Sequence, residues 1–430
     1  MNVSTYQSAI RFLYGLRLFG LKLGLENTFK LAALAGNPQE RLRFIHVAGT
    51  NGKGSTCAML ESIYRATGLC VGLFTSPHLV SFRERIQVNR QLISEADVVR
   101  LVSETHGLLK EFPADHHPTF FEVLTVMALR YFAEQSCDLV IWETGMGGRL
   151  DATNIVTPLA SVITNVEFDH QKWLGQTRGQ IATEKAGIIK PGVPVITATD
   201  VPEALAVIRA TARKLKATLI VVTPEDVRSG LAGTLALPVL GEHQRLNAAL
   251  AIATVQAIRD QVPVSGDHIR RGLETVQWPG RMQLVKTASG RSILLDGAHN
   301  AAGAEAFRTA FLNYFPDARP TLILGVLDDK DWSRMCATLA PLAGRILLTP
   351  VNSERTAAPE TMRDACAKAN PGIETIACPS LADALNRSAN DPFVAITGSL
   401  YLVGEAMELL KLASVSGGSE RGLNEWTVKK

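Results

Sequence analysis

Short apolar runs alternate with longer amphipathic stretches along nearly the whole chain. That rhythm predicts mostly parallel strands joined by crossover helices. In the first part of the chain the predicted strands are 44–47, 71–75, 138–142, 160–165, 193–198 and 218–222. Helices are predicted over 94–110, 120–134, 178–188, 203–214 and 244–259, where apolar residues recur at helical spacing. Residues 85–88, followed by Asn89-Arg90, read as an exposed hairpin outside the core. A second series begins near Ile293, with strands 292–296, 321–326, 345–349 and 393–397. Trp278-Pro-Gly-Arg281 breaks the backbone between the series and places a boundary within 277–287. The stretch 414–430 is small, polar and charged, and is predicted to be a mobile tail.

A length of 430 residues exceeds one ordinary core, so two or three domains are expected, and the break near 277–287 divides the chain into 1–283 and 284–430. Hydrophobic content of 46% with 20% charged residues fits a soluble globular protein. A net charge of +3 argues against nucleic-acid binding by bulk charge and leaves room for a local basic patch. The six cysteines (57, 70, 137, 336, 366 and 378) lack C-x-x-C pairing and read as buried reduced thiols. No secretory signal is visible, and no apolar run approaches the ~20 residues of a spanning helix. The expectation is a cytoplasmic protein without nucleic-acid or membrane partners.

The chemistry concentrates in His46-Val-Ala-Gly-Thr-Asn-Gly-Lys-Gly-Ser55, between a predicted strand and a predicted helix. Strand, glycine-rich loop, Lys and helix form the layout of a phosphate-binding loop. Its backbone N–H groups and the helix N-terminus attract phosphate. Gly49, Thr50, Asn51, Gly52, Lys53, Gly54 and Ser55 are therefore candidate ATP-binding residues, with Lys53 reaching the β- and γ-phosphates. The match to G-x-x-x-x-G-K-[ST] is imperfect. Val47 replaces the first Gly, and Gly54 stands where a hydroxyl residue is usual. The alternative is a glycine-rich turn carrying a surface Lys.

That departure is informative. The loop resembles that of the Mur-type ligases, and its Lys-Gly-Ser ending resembles the folylpolyglutamate synthase/dihydrofolate synthase branch. Further matching segments follow in order: Phe74-Thr-Ser-Pro-His-Leu79, Arg83-Glu-Arg-Ile86, Thr119-Phe-Phe-Glu122 and Glu143-Thr-Gly-Met-Gly-Gly-Arg-Leu-Asp-Ala-Thr-Asn154. Then come Asp169-His170, Glu184-Lys-Ala-Gly-Ile-Ile-Lys190, Asn247-Ala-Ala249 and Trp278-Pro-Gly-Arg281. Asp296-Gly-Ala-His-Asn300, Gly325-Val-Leu-Asp-Asp-Lys-Asp331 and Thr397-Gly-Ser-Leu-Tyr401 complete the series. The resemblance implies an α/β fold: an N-terminal P-loop ATPase domain of Mur-ligase type with a mostly parallel sheet, and a smaller Rossmann-like C-terminal domain. It implies ATP-dependent addition of L-glutamate to dihydropteroate and reduced folates, by a monomer using Mg²⁺ at two sites.

By the same resemblance Ser76, Glu143 and His170 contact Mg²⁺, and Lys185 is carbamylated to hold a second metal. A hydroxyl and a carboxylate suit Mg²⁺, whereas imidazole suits softer metals. The plainer alternatives are a turn Ser, a strand-end carboxylate, a loop His and an unmodified helix Lys. Asn247, Arg281 and Asp296 match residues around the nucleotide, with Arg281 placed to swing onto phosphates when the domains close. His299 and Asn300 are either site residues or helix caps. Thr119, Phe120, Phe121 and Glu122 offer aromatic surface and a carboxylate to a pterin, though plain core packing is open for one of the two Phe. Leu150, Asp151 and Ala152 match the dihydropteroate contact of the bifunctional enzymes, and the retained Arg149-Leu-Asp-Ala-Thr-Asn154 and Ser76-Pro-His-Leu79 favour dual activity. Glutamate is expected on the C-terminal side, at residues the sequence does not name. Two rivals are a Mur-type ligase for cell-wall precursors, which should lack the Phe120-Phe-Glu122 segment, and a nucleotide-switched binding protein, which would not need Lys185 or the Asp296–Asn300 motif.

Overall fold

The computed structural model describes residues 3–20, 22, 24–287, 290–413 and 420–425. The first sheet has the strand order β4-β3-β2-β5-β1-β6-β7-β8. Its strands are β1 Phe44–Ala48, β2 Val71–Phe74, β3 Ile86–Val88, β4 Gln91–Leu92, β5 Leu139–Glu143, β6 Ala160–Ile163, β7 Val195–Thr197 and β8 Leu219–Val221. The six strands expected from sequence pair in parallel. Their apolar runs suit a sheet covered on both faces by helices, and the central β1 and β5 are buried along their whole length.

The expected hairpin around Asn89-Arg90 forms, but its first strand is largely buried rather than exposed. β3 joins this sheet antiparallel to β2, β4 pairs antiparallel with β3 at the edge, and Ile86, opposite Phe74, is fully buried. Arg85 misled because its charge is accommodated inside. Its Nε donates to His78 Nδ1 at 2.8 Å, and its guanidinium lies over the Phe120 ring at 5.5 Å.

The second sheet runs β13-β12-β11-β14-β10-β9. It comprises β9 Gln283–Lys286, β10 Ser292–Leu295, β11 Thr321–Leu324, β12 Arg345–Leu348, β13 Thr375–Ala377 and β14 Phe393–Thr397. Pairing is parallel except between β9 and β10. β9 and β13 escaped sequence reading because they are short and only partly buried edge strands. β9 begins at Gln283, one residue before the expected division at 283/284.

Of the expected mobile tail, 414–419 and 426–430 lie outside the described residues. The part between them is not a free tail. Glu420, Arg421, Leu423 and Asn424 are buried. Glu420 Oε2 accepts from Phe82 N at 2.6 Å, Tyr6 Oη at 3.0 Å and Ser81 Oγ at 3.1 Å. These partners come from the far end of the chain, so local composition could not reveal them. All six cysteines are free thiols, five buried and Cys70 partly exposed. Among the described residues no helix is long and apolar enough to cross a membrane.

Candidate active site

Parallel α/β sheets bind ligands beyond the carboxyl ends of their strands. Here the loops after β1, β2, β5 and β6 share one cavity of about 460 Å³ with the loops after β10, β11, β12 and β14. The two carboxyl edges therefore meet across a single site.

The loop 49–52 leaves central β1 and enters the helix Lys53–Arg65. Gly49 (φ 152°) and Gly52 (φ 82°) take backbone conformations that side chains disfavour. A Cβ on Gly49 would also lie 1.8 Å from Thr164 Oγ1. The Gly at position 54 has a packing reason, since a Cβ there would stand 2.7 Å from the Trp278 ring. Lys53 Nζ curls back onto the carbonyls of Gly49 and Thr50, each at 3.2 Å.

Lys185 joins the same loop, donating from Nζ to the Gly49 carbonyl at 2.8 Å. Its helix, Arg178–Ala186, buries it to 2% exposure. Burial, and then neighbouring Lys53, lower its pKa to about 7. Glu143 ends β5 at 3% exposure, with Oε2 accepting from Ser76 N at 3.0 Å. Burial raises its pKa to about 7 against the pull of Lys53. Among the described residues no three His, Cys, Asp or Glu side chains converge as a metal group. Ser76 and Glu143, joined through the Ser76 backbone N–H and both lining the cavity, offer a hydroxyl and a carboxylate of the kind that fits Mg²⁺, which takes few protein oxygens and keeps several waters. His170, with φ 50°, fits that ion less well, and burial lowers its pKa to about 3.

Asp169 ties the two sheets together. Lys330 Nζ lies 2.5 Å from Asp169 Oδ1, Asn300 Nδ2 donates to Oδ2 at 3.2 Å, and His299 Nε2 stands 3.7 Å away. Burial alone would raise the Asp169 pKa, but His170, Lys330 and His299 hold it well below the usual carboxylate range. Asn300 fulfils both readings offered by the sequence. Its Oδ1 caps the helix Ala301–Tyr314 by accepting from Gly303 N at 2.8 Å, and its Nδ2 donates to Asn51 Oδ1 of the phosphate loop at 2.9 Å.

Arg281 lines the cavity where the two sheets meet. Its guanidinium packs against Gly297, where an added Cβ would lie 2.3 Å from its NH1. Burial lowers its pKa, opposed by the charges of Asp296 and Glu143. Asp296 accepts from Met282 N and Ala298 N, both at 2.9 Å, so its carboxylate fixes the turn that presents Arg281. Asn247 Nδ2 donates to Gln244 Oε1 at 3.1 Å, and Asn247 lies against Gly52.

On the aromatic side Glu122 both caps a helix and lines the cavity. Glu122 Oε2 accepts from Thr119 N at 2.7 Å, while Thr119 Oγ1 accepts from Glu122 N at 3.3 Å. This reciprocal cap starts the helix Phe120–Glu134 and engages Oε2, while Oε1 accepts from Thr28 Oγ1 at 3.5 Å. Phe120 belongs largely to the core, edge-on to Phe82 at 6.4 Å, whereas Phe121 is half-buried over Gly145. Asp151 is likewise engaged. Oδ2 accepts from Met146 N at 2.7 Å, and Oδ1 accepts from Thr153 N at 3.0 Å and Thr153 Oγ1 at 2.5 Å. Leu150 and Ala152 line the cavity beside it.

The site residues read from sequence line this cavity, Asn300 excepted, as do Arg17, Lys22, Arg85, Lys330, Arg355 and Tyr401. Lys330 and Tyr401 sat in matching segments without an assigned role. Arg17 and Arg355 are isolated arginines with no local pattern to mark them.

Two largely parallel α/β sheets facing each other across a phosphate loop define a two-lobed nucleotide-binding enzyme of the Mur-ligase type. Residues 47–255 match the model for the Mur ligase middle domain, and 280–400 match that for the Mur ligase glutamate ligase domain. The chain is 35% identical over 438 residues to the dihydrofolate synthase/folylpolyglutamate synthase of Bacillus subtilis, covering 95% of this chain and 100% of that one. It is 37% identical over 399 residues to the folylpolyglutamate synthase of Lacticaseibacillus casei, covering 87% and 91%. The solved structure of E. coli FolC in complex with DHPP and ADP is similar, with TM-score 0.83, 31% identity and coverage of 95% of this chain and 98% of that one. The chain belongs to the folylpolyglutamate synthase/dihydrofolate synthase family.

Proposed function

We propose that this protein joins L-glutamate to dihydropteroate and to reduced folates, using ATP. The observation that carries the reading is the convergence of the phosphate loop, Lys53, Lys185 and the Ser76–Glu143 pair on a cavity closed from the second lobe by Lys330 and Arg281. The acceptor carboxylate attacks the γ-phosphorus of ATP and ADP leaves. The glutamate amine then attacks the acyl carbon and expels phosphate. Such chemistry needs positioning and charge neutralisation more than covalent help from protein.

Lys53 and the loop amides orient the phosphates. Arg281, steadied by Asp296, faces the transferring group from the other lobe. Ser76 and Glu143, with His170 nearby, would hold Mg²⁺, which neutralises phosphate charge when bound. Lys185 is buried, close to Lys53 and predisposed to the neutral amine that reacts with CO₂. Its carbamate would supply oxygens for a second Mg²⁺. Phe121 and the 150–152 loop offer the pterin surface. Dual activity is supported by Arg149-Leu-Asp-Ala-Thr-Asn154 and Ser76-Pro-His-Leu79. The enzyme is read as a cytoplasmic monomer.

The test is glutamate incorporation and ADP release by pure protein, with ATP, glutamate and acceptor each omitted in turn. Dihydropteroate and a reduced monoglutamyl folate are compared as acceptors. Activity with the folate alone would leave a monofunctional polyglutamate synthase.

A further inference from the structure

Glu425 enters the same cavity from the buried C-terminal segment. Its Oε2 lies 3.1 Å from Arg355 Nε, and its carbonyl accepts from Arg17 Nε at 3.0 Å. The other carboxylate oxygen, Oε1, is buried without a hydrogen-bond partner among the described residues.

Arg355 occupies the loop after β12, at the ligand-binding edge of the second sheet. It is preorganised. Its NH1 meets Asp329 Oδ1 at 3.2 Å, its NH2 meets Tyr401 Oη at 3.3 Å, and its carbonyl accepts from Asp328 N at 2.6 Å. The side chain keeps 29% exposure. A guanidinium suits two-oxygen recognition of a carboxylate, yet Glu425 meets it through one oxygen and, among the described residues, leaves the other unpartnered.

We propose that Arg355 is the subsite for the side-chain carboxylate of the incoming L-glutamate, and that Glu425 occupies it until substrate displaces it. Glu425 presents the same chemical group as the free amino acid, a carboxylate on two methylenes. Displacement is eased because the stranded Oε1 regains water. Glutamine would bring a neutral amide against Arg355, so the subsite also selects acid over amide. The identity of the amino acid rests on the proposed ligase function.

The test uses the full-length protein with Arg355→Gln and the near-isosteric Glu425→Gln. Arg355→Gln is expected to raise KM for glutamate roughly 10- to 100-fold, as for loss of a charge-assisted pair. KM for ATP should move far less, and discrimination against glutamine should shrink. Glu425→Gln is expected to lower KM for glutamate by removing the internal competitor. Calorimetric titration of L-glutamate into protein with ADP and Mg²⁺, without acceptor, reads the subsite apart from turnover. Arg355-dependent binding without turnover on either pterin would overturn the acceptor assignment and uphold the subsite. Equal glutamate binding by parent and Arg355→Gln would overturn the subsite. A raised glutamate KM in Glu425→Gln would overturn the competitor role.

Discussion

Lys330→Met tests whether charge holds the two lobes together. The ion pair spans 2.5 Å, with the Lys330 and Asp169 side chains only 7% and 9% exposed. At that distance two unit charges attract by roughly 7 kcal/mol at an effective dielectric of 20. Desolvating both ions offsets most of this, so the intact pair adds little net stability. Removing one partner is another matter, because a buried charge left alone costs about 3–5 kcal/mol. Asp169 would retain Asn300 Nδ2 at 3.2 Å and the His170 backbone N–H at 2.8 Å. Those contacts, and water admitted as the lobes part, trim the loss to about 2–4 kcal/mol. Met nearly matches Lys in length, so the change reports charge rather than packing. If closure precedes chemistry, kcat/KM for ATP should fall about 30- to 1,000-fold, with a lower unfolding temperature. The companion Asp169→Asn/Lys330→Met protein should recover part of the loss, since neither charge is then stranded. A Lys330→Met protein with parental stability and parental kcat/KM would refute the argument.

Lys53→Ala should keep the fold and lower kcat on the order of 10²–10³-fold, by loss of a phosphate contact; near-normal kcat would remove the phosphate-loop reading. Lys185→Ala should be nearly inactive and partly rescued by a small carboxylic acid. With ¹³C-bicarbonate the parent should give a carbamate NMR signal that the variant lacks, and no signal from nucleotide- and Mg²⁺-loaded parent would exclude the modification. His46, buried on β1 with Nε2 2.9 Å from Thr153 Oγ1, has its pKa lowered to about 3 by burial. The folded chain stays neutral there while the unfolded chain takes up a proton below about pH 6.5, so stability is full above that pH. It should fall by about 1.4 kcal/mol per pH unit between pH 6.5 and about 3. Urea titrations across this range should show a shallower slope for His46→Gln, and an unchanged slope would contradict the assignment.

The sequence by itself determined the parallel strands and the phosphate loop. Buried strands are written as contiguous apolar runs, and Gly49 to Ser55 act through consecutive backbone groups. It also marked Glu143, Lys185 and Arg281, each embedded in a recognisable local segment. Only the tertiary structure decided which polar groups are committed elsewhere. Glu122 and Asp151 read as residues facing the pterin, and only the fold shows that Glu122 also accepts from Thr119 N and Asp151 from Met146 N and Thr153 N. Arg85 and Glu420 read as surface charges, yet each is buried against partners distant in the chain. The Asp169–Lys330 pair and the Arg355–Glu425 pair likewise join elements remote in sequence. The physical reason is that burying a charge depends on where its counter-charge sits after folding. Local pattern encodes strand and helix period, but not that position.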